Sequence, residues 1–130
     1  MDCSACGGET VDFSIPEEFR EDTAEDAPAA AICRRCLTVE PRERGEDDPD
    51  FSAVSEAFPR RPDRAVPLAL AIGYCDSLAT NRGRIEALLE SVERAGTDPL
   101  LVIDRLVDDP TLEPAIDLEG RRHQLEELLY

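Results

Sequence analysis

Cys3 and Cys6, and again Cys33 and Cys36, each enclose two residues, giving the pattern C-x2-C-x26-C-x2-C. A two-residue gap lets both sulfurs of a pair reach one ion, at about 2.3 Å each for zinc, and two pairs then close a tetrahedron of soft thiolates. Such a site keeps no open position for water or substrate. Its expected role is to hold the front of the chain folded, with a binding free energy on the order of 10–16 kcal/mol. Structural Zn2+ is the expected cofactor; an iron centre on the same four thiolates and a redox disulfide pair are its rivals. A reducing interior favours metal over disulfides. Four thiolates and one Zn2+ add −2 to the formal charge of −16, giving −18, and Arg34 and Arg35 lie within the second pair, where they can offset that excess.

Other reactive groups are few. Cys75 is the only unpaired thiol and His123 the only histidine, and together they would make a nucleophilic dyad if the fold joined them. Cys75, however, follows an almost unbroken apolar run, where cysteine behaves as a small buried hydrophobe. His123 stands between Arg122 and Gln124 on a charged stretch and reads as solvated. Asp108-Asp109 and Glu126-Glu127 are adjacent rather than spaced for shared chemistry, as at solvated helix ends. No enzyme is expected.

Arginine gathers in the middle of the chain. Residues 1–32 carry a net −8, residues 33–64 only −1, and residues 65–130 −7. Arg34, Arg35, Arg42, Arg60, Arg61 and Arg64 lie in that middle stretch and could meet nucleic-acid phosphates or a partner. Against phosphates stand Glu40, Glu43, Glu46, Asp47, Asp48 and Asp50, and no Trp offers a base a stacking surface.

These residues need elements to position them. Val11, Phe13 and Ile15 alternate as one face of a strand that Pro16 ends, and residues 17–28 read as an acidic loop with one helical turn at 17–20. Residues 29–32 lead into the second pair as a strand, and residues 37–40 leave it as another. Residues 41–50 read as a charged linker. Phe51, Val54 and Phe58 suggest a short helix capped by Asp50 or Ser52, and residues 60–64 an irregular basic bridge. A buried helix is expected over residues 67–78, because Ala and Leu favour helix, with a buried strand as the alternative. A second has Asn81 as its cap and Ile85, Leu88, Leu89 and Val92 on its stripe, and ends at Gly96. Thr97-Asp98-Pro99 opens a third, with Leu100, Ile103 and Val107 on one stripe and Leu101 and Leu106 beside it; residues 119–129 form a fourth. The fold class is therefore α+β: a small four-cysteine unit of hairpin type at 1–44, a linker and short helix at 45–66, and a helical part of about four helices at 67–130.

All 14 basic residues are Arg, against 30 acidic ones. Hydrated carboxylates at this density suit a salt-rich cell interior, where a Debye length of about 3 Å at 1 M screens their repulsion. No apolar run approaches a membrane span, and the opening Met1-Asp2-Cys3 lacks a signal peptide's features. A cytoplasmic protein with no membrane partner is expected.

With Gly7 behind the first pair, Cys3, Cys6, Cys33 and Cys36 resemble the zinc-ribbon proteins over about the first 44 residues. That implies a zinc-finger-like hairpin fold but no single activity, because zinc ribbons serve transcription, translation, RNA processing and protein docking alike. Rubredoxin-type iron sites differ: this chain has Leu37 where their second knuckle has glycine, no proline inside either pair, and only 5% aromatics. The whole chain is similar to a family of short haloarchaeal proteins of unknown function. The function expected is a binding or adaptor module with a protein partner, and the alternative is a nucleic-acid-binding regulator that uses the Arg-rich knuckle.

Overall fold

A computed structural model describes residues 2–23 and 26–130. The order along the chain is β1 (Thr10–Ser14), α1 (Glu17–Arg20), β2 (Ala29–Cys33), β3 (Val39–Arg42), a 3₁₀ turn (Phe51–Ala53), α2 (Pro62–Tyr74), a second 3₁₀ turn (Cys75–Ser77), α3 (Leu78–Arg94), α4 (Pro99–Val107) and α5 (Leu118–Leu129). The architecture is α+β, as expected, with a three-stranded antiparallel sheet in the order β1-β2-β3 followed by four substantial helices. The acidic-loop reading of residues 17–28 is met at its start by α1, while Ala24 and Glu25 lie outside the described residues.

Register follows burial. Thr10 stands opposite Cys33 and Phe13 opposite Ala30 in one pairing, and Ile32 opposite Val39 and Ala31 opposite Glu40 in the other. The central strand β2 is buried along its whole length. Its three alanines let neighbours approach closely on both faces, so β2 can be covered without bulky side chains. Phe13 and Ile15 are buried as the alternation demands, whereas Val11, nearer the open end, is half-buried.

One contiguous apolar core then runs from the sheet into the helices, joining Phe13, Ile32 and Leu37 to Leu68, Ile85, Leu88, Ile103 and Leu125. At its centre is α2, whose residues from Ala65 through Ile72 are all buried. This explains its apolar character on every side: α3 covers one flank and β3 the other. The approach to β3 is close enough that a Cβ on Gly73 would lie 2.5 Å from the Cβ of Val39. Gly73 is therefore a contact residue, whose missing side chain lets helix and sheet touch.

Several boundaries differ from the sequence reading. α2 starts at Pro62 with extended Arg61 as its N-cap, so the expected basic bridge at 60–64 is largely the first turn of a helix. Pro62 at N1 needs no N–H, which suits it to that place. Pro67 lies inside the helix rather than at its start. Asn81 is not a cap: α3 begins at Leu78, and buried Asn81 donates from Nδ2 to the Tyr74 carbonyl at 3.1 Å, tying α3 back to α2. In α4, Asp98 caps as expected, but Val102 takes the buried place and Leu101 is 47% exposed.

The connector after β3 is also not a free linker. β3 itself runs to Arg42, and the chain then returns to the far edge of β1, where the Ser14 N–H donates to the Glu46 carbonyl at 2.9 Å. Phe51 next packs on Phe13 and on Phe58, with ring centroids 5.2 and 5.5 Å apart. The expected short helix is a single 3₁₀ turn capped by Asp50, and it places Phe51, Val54 and Phe58 in the core. Such aromatic pairs add about 0.5–1.5 kcal/mol beyond the area they bury.

Candidate metal centre

Each cysteine pair sits in a tight loop built to one plan. In the first, the Cys3 N–H donates to the Gly8 carbonyl at 2.7 Å; in the second, the Cys33 N–H donates to the Thr38 carbonyl at 2.9 Å. The residue after each second cysteine takes a left-handed backbone, Gly7 at φ 77° and Leu37 at φ 64°. That turn points amides back at sulfur: Ala5 N–H lies 3.4 Å from Cys3 Sγ, and the N–H groups of Arg35 and Cys36 lie 3.3 and 3.4 Å from Cys33 Sγ. Strand pairing then brings the loops face to face, because β1 leaves the first loop and β2 enters the second.

The four sulfur atoms lie within 4.8 Å of one another. Across the loops, Cys3 and Cys36 are 3.6 Å apart and Cys6 and Cys33 3.5 Å. A tetrahedron with bonds of about 2.3 Å has edges of about 3.8 Å, so the donor set fits one ion in both chemistry and spacing. Cys3, Cys33 and Cys36 are buried and Cys6 is exposed. Burial pushes the Cys33 thiol up, against the pull of the Cys36 and Arg35 amides, so a bound cation would supply what favours the thiolate. The Thr38 hydroxyl, 3.0 Å from Cys36 Sγ, can donate to that sulfur once it is charged.

The second loop is anchored in the helical part. Glu113 and Ala115, between α4 and α5, donate their N–H groups to the carbonyls of Arg35 and Cys36 at 2.7 and 3.0 Å. Leu37 is 4% exposed and belongs to the main core. A left-handed leucine costs about 1–2 kcal/mol, and burying its side chain returns about 1.5–3 kcal/mol, so the apolar contact offsets the strain. The residue that separates this chain from rubredoxin by sequence thus adopts the glycine-like conformation anyway.

The arginines are largely spoken for. Arg34 pairs with Glu9 and donates to the Ala53 carbonyl, Arg35 pairs with Glu113, Arg42 with Glu40 and Arg61 with Asp63. Arg64 is on α2, where its guanidinium lies beside Gly96, and Arg60 is exposed. Cys75 is fully buried, its thiol pushed up to about 12 chiefly by burial, while His123 is exposed and shares no hydrogen bond with it. The sequence reading missed Thr38, Glu40 and the segment at 113–116. The repeated loop plan could have pointed to Thr38 through its match with Gly8, but nothing local marks residues 113–116.

Fold and site together define an α+β chain with a four-cysteine cluster at one end of its sheet and a helical remainder. The chain belongs to the family of unknown function DUF6276, which matches residues 2–129. No curated protein and no solved structure matches it. Among the described residues no helix is long and apolar enough to cross a membrane.

Proposed function

We propose that this chain is a non-enzymatic binding or adaptor protein of a halophilic archaeal cytoplasm, with structural zinc in a ribbon-like site made by Cys3, Cys6, Cys33 and Cys36. The observation that carries the reading is the convergence of four sulfurs within 4.8 Å, three of them buried. Bound there, zinc would cross-link two loops 27 residues apart, counted from Cys6 to Cys33, and neutralise part of four thiolate charges. Four ligands leave no coordination position for substrate, and the remaining thiol, Cys75, is held protonated in the core. The salt-rich origin is supported by 30 acids against 14 arginines and no lysine. The adaptor reading is preferred to nucleic-acid binding because Arg34, Arg35, Arg42 and Arg61 are already paired with carboxylates.

The test is elemental analysis of full-length protein purified in concentrated KCl, followed by chelation. One zinc per chain, with loss of tertiary signal on stripping, is expected. Stoichiometric iron would replace the zinc assignment, and absence of any metal would remove the reading. Nucleic acid retained in high salt and lost on replacing Arg34 and Arg35 by serine would overturn the adaptor role.

A further inference from the structure

The geometry points to Glu40 as a positioning residue for the metal centre, a carboxylate latch on the first cysteine loop that sets how fast the metal leaves; this rests on the metal-site reading above. Residues 4–7 are all exposed, so none of them anchors the loop by burial. The bonds from Cys3 to Gly8 and from Gly7 to Cys3 are internal to the loop, and the bridge between Asp2 and Glu9 closes its base. At the tip, the Ser4 N–H donates to Glu40 Oε1 at 3.1 Å, and the Ser4 hydroxyl donates to the same oxygen.

Glu40 is itself held firmly. It sits in β3 opposite Ala31, and its other oxygen accepts from the Arg42 guanidinium at 3.2 Å, with the two side chains only 19% and 15% exposed. Charge alone would not place a carboxylate here, since a loaded tetrathiolate carries −2 and repels it. Its contribution is directional. By engaging the Ser4 amide, it orients the turn in which the next amide, that of Ala5, faces Cys3 Sγ. Groups that hydrogen-bond a metal ligand directly usually change metal affinity by about 10–100-fold when lost, and Glu40 acts one residue further out, which makes about 10-fold its upper bound.

The experiment is transfer of zinc from the loaded full-length protein, in concentrated KCl, to an excess of a chromogenic chelator. Glu40→Ala is expected to release zinc faster than the parent chain, by up to ~10-fold. Glu40→Gln, which keeps an acceptor for Ser4, should stay near the parent rate, and so separates hydrogen bonding from charge. Ser4→Ala should fall between them because its N–H remains, and the Ser4→Ala/Glu40→Ala double variant should be no faster than Glu40→Ala alone, since both act through one contact. Cobalt-loaded forms should report the same order through their thiolate charge-transfer bands. Parent-like release from Glu40→Ala overturns the latch; should that variant not fold, parent-like release from Ser4→Pro, which lacks both the N–H and the hydroxyl that meet Glu40, overturns it instead. A parent chain that takes up no metal refutes the metal-site reading, whereas a loaded parent with indifferent variants refutes the latch alone.

Discussion

The two cysteine loops share a backbone plan yet are held by different physics. The first, Cys-Ser-Ala-Cys-Gly-Gly, is exposed over residues 4–7 and meets the rest of the chain through its strand, through Ser4 on Glu40 and through buried Cys3, which packs with Cys33 and Cys36. The second, Cys-Arg-Arg-Cys-Leu-Thr, has both sulfurs buried, carries Leu37 in the main core and accepts two backbone hydrogen bonds from residues 113–116. Glycine satisfies the left-handed turn in the first loop at little steric cost; leucine satisfies it in the second because the core rewards the side chain. With the proposed metal bound, the first loop would depend on it more than the second, which the protein also holds through Leu37 and residues 113–116.

The largest effect should come from replacing one ligand in each loop. Cys33→Ser is expected to abolish stoichiometric zinc and to lower the stability of the whole domain, because it also leaves a hydroxyl in a fully buried site. Cys6→Ser should weaken zinc binding while far-ultraviolet circular dichroism of the helices stays close to that of the parent. Equal unfolding of the two variants would erase the contrast between the loops.

A second test concerns the thiol that lies outside both loops. Cys75 has its folded pKa raised from 9.0 to about 12, so the stability tied to its protonated form is complete below pH 9 and is lost as pH rises toward 12. By linkage that loss reaches up to about 4 kcal/mol. Denaturant melts across this window should show the parent declining more steeply than Cys75→Ala. In the native, metal-loaded protein Cys75 should resist a thiol reagent, so its labelling without denaturant or chelator would contradict the burial.

The smallest effect expected is that of Leu37→Gly. Removing strain of about 1–2 kcal/mol while losing the buried side chain and leaving a cavity, together about 2–5 kcal/mol, gives a net loss of about 0–4 kcal/mol, centred near about 2. Thermal unfolding of zinc-loaded protein measures it. A stabilised variant would mean that the second loop is not docked through Leu37.

Much of this was readable in advance, for local reasons. Asp98-Pro99 opens α4 because a carboxylate and a proline both suit a helix start, and Ile85, Leu88, Leu89 and Val92 recur at a helical period. Asn81 misled the reading because its capping preference is local, whereas its actual partner, the Tyr74 carbonyl, becomes available only when α2 and α3 pack. Residues 41–50 look like a solvated linker by composition, yet the open edge of β1 needed a backbone partner and took Glu46.

The two C-x2-C pairs, the α+β class and the caps at Asp50 and Asp98 were legible in the sequence alone, because each depends on residues a few positions apart and on conformations their own chemistry favours. Only the tertiary structure decided that Leu37 would hold a glycine's conformation, that Glu40 would reach Ser4, and that residues 113–116 would dock on the second loop. Those outcomes join groups far apart in the chain, 36 positions for Ser4 and Glu40 and 78 for Arg35 and Glu113, and what selects them is the summed burial of one shared core, which no local pattern records.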